Sequence, residues 1–161
     1  MPCDKLLGFL AENGVDYELS QHPLSYTAQE TADRVHVSGK QFAKTVMVKL
    51  DGRMAMVVLP AHERVSLSLF REVAGAQQVE LADEGEFRSL FPDCDLGAMP
   101  PFGNLYGMAV YACGSLAEQE RIAFNAGRHT EIITMRYADF ERLVKPRVAQ
   151  FARHRPRERD D

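Results

Sequence analysis

The sequence predicts an α+β fold, a single domain in which helices flank a mixed, mostly antiparallel and curved sheet. Two apolar runs, TVMVKL and MAMVVL, are separated by Asp51-Gly52, a dipeptide typical of a tight hairpin turn. The other strand and helix patterns follow one another without a regular β-α-β order, which disfavours a doubly wound parallel sheet. A length of 161 residues with 45% apolar residues fits one domain with a core of its own.

The N-terminal elements are two helices, a strand and the hairpin. A helix is predicted from Asp4 to Gly14, where glycine is a suitable stop. Apolar residues alternate with polar ones from Val15 to Leu19, which predicts a half-buried strand. Thr27 and Glu30 have the spacing of a capping box, so we expect a helix from Thr27 to about His36.

The later elements mix both types. Ser66 is a suitable N-cap for a helix ending at Gly75, and Asp83 begins a second capping box whose helix Pro92 stops. The remaining elements are strands at 79–81, 108–113, 122–125 and 131–135, and a helix at 137–144. Residues 94–106 hold two prolines and two glycines, which is typical of a stiff loop.

The composition changes after residue 144. Residues 145–159 contain six Lys or Arg and one Glu, while the whole chain carries a net charge of −4. We therefore divide the chain into a domain at 1–144 and a basic C-terminal tail at 145–161. The tail is interpreted either as a frayed terminus or as a segment that contacts phosphates.

The composition excludes several classes of protein. A net charge of −4 is not that of a basic nucleic-acid coat, and no run approaches the roughly 18 to 20 apolar residues of a membrane span. The N-terminus has no signal-peptide pattern, so we expect a cytoplasmic protein. Cys3, Cys94 and Cys113 form no CxxC pair and are expected to be reduced.

Familiar catalytic motifs are absent from the sequence. The five histidines form no HxxxH, HxH or Cys/His cluster, so no metal site and no cofactor are expected. No G-x-S-x-G, GxGxxG or P-loop pattern occurs. Cys113 lies in an apolar strand and is interpreted as a core residue rather than a nucleophile.

Three segments are candidates for chemistry, and each has an ordinary structural alternative. Lys44 enters an apolar strand, where it is either a surface lysine or a cation aimed into a cavity. The Gly97–Pro101 stretch is either a plain turn or a loop whose N–H groups bind a carbonyl oxygen or phosphate. Asn125-Ala-Gly-Arg-His129 is either a simple turn or part of the same site.

Together these segments resemble the YbaK/ProRS-associated editing domains, a family of aminoacyl-tRNA deacylases. The resemblance spans roughly residues 15 to 144, and the order and spacing of its short motifs are specific. Those motifs are His22-Pro23, Thr27-Ala28 with Glu30, Ala43-Lys44-Thr45, Val58-Leu59-Pro60, Leu81-Ala82, Gly97 to Pro101 with Phe102-Gly103, and Phe124 to Gly127 with His129.

The resemblance implies metal-independent hydrolysis of the ester that joins a wrong amino acid to the 3′ end of a tRNA. The expected substrate is a proline tRNA carrying a small residue such as alanine, with a water as nucleophile and the terminal ribose hydroxyl assisting. By this likeness, Lys44 anchors the substrate while Gly97 and Pro101 frame the catalytic loop. The expected substrate-binding residues are Thr45, Ala98, Met99, Pro100, Gly127 and His129, with Lys40 and Arg64 as further cations for tRNA.

Two other hypotheses stay open at this point. A non-catalytic module could hold tRNA ends or a tRNA synthetase on the same fold without hydrolysis, and a small-molecule esterase or amino-acid binder on this fold would need no basic surface. The expected partners are therefore the 3′ end of an aminoacyl-tRNA and, in either case, a synthetase. A loop that orients an ester favours the enzyme, because a module that only contacts phosphate has no use for it.

Overall fold

A computed structural model of the protein describes residues 4–21, 38–95 and 97–154. Several predictions lie outside these ranges. They concern the helix from Thr27 to about His36, the motif residues from His22 to Glu30, the thiol Cys3, and the tail beyond residue 154.

The described ranges contain five α-helices and ten strands. The helices are α1 (Asp4–Glu12), α2 (Leu67–Ala74), α3 (Glu84–Phe87), α4 (Gly114–Ala117) and α5 (Tyr137–Val144), with 3₁₀ turns at Arg88–Leu90 and Gly103–Tyr106. The strands are β1 (Tyr17–Gln21), β2 (Ala43–Leu50), β3 (Arg53–Pro60), β4 (Glu63–Val65), β5 (Val79–Leu81), β6 (Val110–Cys113), β7 (Arg121–Asn125), β8 (Glu131–Arg136), β9 (Arg147–Ala149) and β10 (Ala152–His154).

The strands form one large sheet and two smaller ones. The large sheet has the order β5-β2-β3-β6-β9, in which β3-β6 and β6-β9 are parallel and the other two pairs antiparallel. The second sheet, β1-β8-β7, and the β4-β10 ribbon are antiparallel throughout. This confirms the predicted α+β class with a mixed, mostly antiparallel arrangement.

The β2-β3 hairpin is the centre of the large sheet, as predicted. Its turn residues Asp51 and Gly52 have φ values of 50° and 86°, the left-handed conformation that a tight hairpin turn requires. Alternate side chains of β3 enter two different cores, with Met56 and Val58 on one face and Val57 on the other. Burial on both faces explains why the run MAMVVL is continuously apolar.

The helix ends also follow the predicted local signals. Ser66 caps α2 by accepting a hydrogen bond from Leu69 N at 3.4 Å, and Gly75 ends this helix with φ of 67°. The capping box at Asp83 is present. Its helix is shorter than expected, because the chain tightens into a 3₁₀ turn at Arg88–Leu90 before Pro92.

Strand β1 differs from its prediction in burial. Tyr17 is partly buried, but Leu19 is 43% exposed and the rest of the strand is exposed as well. The alternating pattern therefore identified the strand correctly and its buried face incorrectly. Pairing with β8 along one edge holds the strand, with Tyr17 opposite Met135.

Residues directly after 144 are part of the folded domain. Strand β9 pairs in parallel with β6, and β10 pairs with β4. Between them, Phe151 is fully buried against Phe70, with ring centroids 5.1 Å apart. The folded structure therefore extends to His154, ten residues beyond the boundary chosen from composition.

Candidate functional site

A cavity of about 160 Å³ lies where the first residues of β2 meet the loop that follows the 3₁₀ turn at Arg88–Leu90. Its lining combines the strand entry, the loop and the end of β7. The lining residues are Ala43, Lys44, Thr45, Gly97, Met99 and Asn125. Three segments that the sequence analysis singled out separately, around Lys44, Gly97 and Asn125, thus meet at one place.

The hairpin positions the first wall of the cavity. Lys44 pairs with Leu59 in the β2-β3 register, and its side chain is half-buried at the cavity. Thr45 Oγ1 donates a hydrogen bond to Met99 O at 3.2 Å, which ties the strand to the loop. The lysine is thus a cation on a rigid strand, which favours the cavity interpretation over that of a plain surface residue.

The second wall is built by two loops that bind each other through their backbones. Asp95 N donates to Gly127 O at 2.7 Å, and Gly127 N donates to Ala98 O at 3.0 Å. The Asp95 carboxylate also accepts a hydrogen bond from His129 N at 3.2 Å. These contacts fix the predicted loop from Gly97 to Pro101 against the turn after β7.

Gly97 is the point where this loop is most open to a ligand. Its φ of 85° lies in the left-handed region, and a Cβ there would stand 3.4 Å from His129 Cε1. Its N–H donates to the Met99 thioether sulfur at 3.3 Å. Thioether sulfur is a weak acceptor, so a carbonyl oxygen in the cavity would be a better partner for this N–H. The neighbouring Ala98 N–H already donates to Asp95 O at 3.0 Å.

Asn125 brings an unsatisfied polar group to the cavity. Among the described residues its Oδ1 is a buried oxygen without a hydrogen-bond partner. Buried polar groups are nearly always paired in folded proteins, and exceptions are concentrated at functional sites. Asn125 lines the cavity, so a rotation of its amide would let a hydroxyl or ammonium group there supply the missing donor.

The other predicted residues lie around the cavity rather than in its lining. Ala98, Pro100 and Pro101 are buried residues of the loop itself, and Gly127 in the turn after β7 is buried as well. Lys40 and Arg64 are exposed and do not line the cavity. Both lie near the end of the hairpin that bears Lys44, since Gly39 O contacts His62 Nδ1 at 3.2 Å.

Two residues of the site, Asn125 in the cavity lining and Asp95 in the contact that fixes the loop, were not selected from the sequence. Asn125 was recognised as part of a motif without a role, and Asp95 was treated as an ordinary loop residue. A carboxylate two residues before a glycine is a common signal for a side chain that fixes a turn, and it could have identified Asp95. No local pattern indicates that the Asn125 oxygen would be unpaired.

The described residues form neither a metal-binding group nor a membrane-spanning helix. No group of three or more His, Cys, Asp or Glu within the described ranges is arranged to hold a metal ion. Cys113 is fully buried, and its Sγ lies 3.0 Å from Ser115 Oγ, which agrees with its interpretation as a core residue. In the part of the chain that is described, no helix is long and apolar enough to cross a membrane.

Comparison with known proteins gives consistent matches. A model of the aminoacyl-tRNA editing domain matches residues 22–143. The chain is 26% identical over 154 residues to the multifunctional Ser/Thr-tRNA deacylase ProXp-y of Escherichia coli K12, and 92% of each chain is covered. It is 26% identical over 100 residues to a proline–tRNA ligase of Macrococcus caseolyticus, which covers 62% of this chain and 17% of the ligase.

A solved structure gives the same fold. A crystal structure described as that of a candidate trans-editing enzyme for prolyl tRNA synthetase matches with a TM-score of 0.82. The match covers 94% of this chain and 96% of that chain at 18% sequence identity. At this identity the likeness is one of fold, and the family model extends over most of the described domain.

Proposed function

The chain belongs to the family of aminoacyl-tRNA editing domains and is an aminoacyl-tRNA deacylase, and we propose that it clears a small wrong amino acid from a proline tRNA. Alanine is the first expected residue. The reaction is ester hydrolysis: a water oxygen attacks the carbonyl carbon, the bond to the ribose oxygen breaks, and the amino acid and the free tRNA end leave. No oxidant, reductant or cofactor is needed for this balance.

The observation that carries the proposal is the convergence of Lys44 and the Gly97 N–H on one small cavity. Negative charge develops on the carbonyl oxygen when water attacks an ester, and a fixed cation and N–H group stabilise that charge. In the proposed geometry the Gly97 N–H exchanges its weak sulfur acceptor for this oxygen. Lys44 then neutralises the ester region or the terminal phosphate.

The size of the cavity favours a small amino acid as the substrate. Its volume of about 160 Å³ is below the range of about 300–1,000 Å³ that is typical of pockets for drug-sized ligands. Ala43 and Met99 give it an apolar side, which suits a methyl group. His129, next to Gly97, is proposed as a further boundary of the pocket.

Serine and threonine are the second candidate, and a specific observation favours them. The Asn125 Oδ1 is unpaired but closed to solvent, and a rotation of this cavity-lining side chain would offer it as an acceptor to a hydroxyl that alanine lacks. The relative from Escherichia coli is a Ser/Thr-tRNA deacylase. A site that is built to bind a hydroxyl discriminates strongly against an analogue without one, so the two candidates predict different preferences.

The test is a panel of proline tRNAs charged with alanine, serine, threonine, cysteine or proline. The chain is incubated with each, and the remaining ester is compared with spontaneous hydrolysis. Rapid loss of alanine alone supports the first candidate, and faster loss of serine and threonine supports the second. If every ester survives as long as it does without protein, the proposal that this deacylase acts on proline tRNA is wrong.

The Asn125→Leu variant sharpens this test. If Asn125 reads a hydroxyl, the variant loses activity on the serine and threonine esters and keeps activity on alanine. Equal rates on all three, before and after the substitution, would remove Asn125 from substrate selection. We also propose association with a synthetase and a cytoplasmic location, which co-purification and fractionation would test.

A further inference from the structure

The ribbon of β4 and β10 places two arginines directly opposite each other. Arg64 is the Cα partner of Arg153 in the antiparallel register, and both residues are exposed. Side chains in such a pair lie on the same face, with Cβ atoms roughly 4.5–5.5 Å apart. The neighbouring residue on β4, Glu63, points the other way and is buried.

This pair is unfavourable for the ribbon itself. Like charges directly opposite each other across an antiparallel pair repel and destabilise it. Neither guanidinium group has a carboxylate within ion-pair distance among the described residues, although the chain as a whole is acidic. Two adjacent cations that no acid in the described part of the chain neutralises are suited to an external anion.

The ribbon lies at the same end of the hairpin as the cavity. β4 follows β3 after a two-residue turn, and the last residue of β3, Pro60, pairs with Ala43 of the cavity lining. The turn residue His62 contacts Gly39, next to the exposed Lys40. The arginine pair therefore lies a short turn along the chain from the strand end that lines the cavity, and the exposed Lys40 lies at the same end of the hairpin.

We propose that Arg64 and Arg153 together bind backbone phosphates of the tRNA whose 3′ end occupies the cavity. This inference rests on the proposed function, which supplies the RNA. Guanidinium groups bind phosphate oxygens through two parallel hydrogen bonds, and each phosphate that is neutralised releases counterions. The pair thus holds the tRNA locally, on a protein whose net charge repels it.

The test measures the affinity for uncharged tRNA between 50 and 200 mM salt for the wild type, Arg64→Gln, Arg153→Gln and the double variant. Each phosphate contact contributes about 0.7 to 0.9 to the slope of log affinity against log salt. We expect each single variant to make the slope shallower by roughly that amount and the double variant by about twice as much. Arg53→Gln is the matched control, because Arg53 is exposed at the opposite end of the hairpin.

A fifth variant distinguishes a phosphate-binding role of the two arginines from a structural role. Arg64→Glu places an acid opposite Arg153, so the ribbon gains a favourable pair and its melting temperature does not fall. The same variant weakens tRNA binding more than Arg64→Gln. A structural role for the arginines would instead lower the melting temperature of the glutamine variants and leave the salt slope unchanged.

Three results would overturn the inference. They are an unchanged slope in the double variant, a control variant that loses as much slope as the pair, and a wild type that does not bind tRNA measurably. Uncharged tRNA has no ester, so the result does not depend on hydrolysis: a failed ester assay counts against the proposed function, and an unchanged salt slope counts against the arginine pair.

Discussion

The two ends of the β2-β3 hairpin differ in how well their polar groups are hydrogen-bonded or paired. At the turn end, Asp51 Oδ1 accepts hydrogen bonds from Gln77 N at 3.0 Å and Gln78 N at 2.8 Å. Lys49 contacts the carboxylates of Glu86 and Glu80 there. The backbone N–H of Asp83 and the Lys49 side chain hold the pKa of Glu86 below its usual range.

At the cavity end two polar groups have a weak partner or none among the described residues. The Gly97 N–H donates to sulfur, and the Asn125 Oδ1 has no partner within the described ranges. A hydrogen bond that is already strong contributes to stability, whereas a poorly satisfied group can bind a ligand instead. The polar groups at the turn end therefore stabilise the hairpin. Those at the cavity end are the ones to which we assign substrate binding.

The largest expected effect comes from the two lysines of β2. Lys44→Met is expected to slow deacylation by at least about a hundredfold, as loss of a charge-stabilising group does. Lys49→Met, at the turn end, keeps the rate and lowers the melting temperature by at most a few degrees, because partly exposed ion pairs contribute little. Single-turnover rates and thermal melts of both variants measure this.

Two outcomes would contradict the expected difference between Lys44 and Lys49. If Lys44→Met loses melting temperature in proportion to activity, Lys44 is a structural residue. If Lys49→Met also slows deacylation, the two ends of the hairpin are not separate.

Two glycines with nearly the same conformation give the next effect. Gly97 and Gly52 have φ values of 85° and 86°, so alanine at either costs about 1–2 kcal/mol of strain. Gly97→Ala places its methyl group in contact with His129, and relief of the backbone strain shifts the loop; a shift of about 1 Å can reduce a rate by about a hundredfold. We expect both variants to melt lower and only Gly97→Ala to show a reduced single-turnover rate at saturating tRNA. A loss confined to tRNA affinity would assign the loop to docking.

A smaller effect is expected from the hydrogen bond between strand and loop. Thr45→Val removes the donor to Met99 O, at a cost of about 1 kcal/mol, and loosens one wall of the cavity. We expect a rate decrease within about tenfold, since the loop keeps its bonds to the turn after β7. Asp51→Ala is the control: it loses two hydrogen bonds at the turn end and lowers stability without changing the rate. Equal rates for Thr45→Val and wild type would show that the loop is held without this bond.

The smallest effect is expected from removing metals and thiols. Prolonged chelation, and replacement of Cys3, Cys94 and Cys113 by alanine, should leave the deacylation rate unchanged, because the proposed chemistry uses only Lys44 and a backbone N–H. Stability is expected to fall with Cys113→Ala, since its side chain is fully buried. Activity that stops with a chelator and returns with zinc would contradict the metal-independent mechanism.

The fold was predictable where the signals are local. The hairpin, the caps of α2 and the last helix all follow from neighbouring residues: Ser66 and Gly75 mark both ends of α2, and Asp51-Gly52 needs no distant contact. The buried face of β1 was not predictable. Its exposure depends on packing between distant segments, which periodicity does not reveal.

The candidate site was predictable in part, for the same reason. Lys44, Gly97 and Asn125 belong to recognisable motifs, and the structure brings all three to one cavity. Strand register places Arg64 opposite Arg153, and loop contacts leave Asn125 Oδ1 unpaired. Neither can be recognised from a local sequence pattern. From composition we also assigned residues 145–154 to a tail. The many charged residues there obscure the pattern of two short strands and of the buried Phe151.

The position of β6 between two parallel neighbours sets the order in which the chain can fold. The pairing of β6 with β3 and β9 joins residues far apart in sequence, with Tyr111 beside both Val57 and Arg147. Contacts of this kind form late because distant loops must close first. During synthesis, at about 5–20 residues per second, one edge of the apolar strand β6 stays open until β9 has left the ribosome. A nascent chain that ends before residue 147 would present this edge to other chains, which is a common start of aggregation.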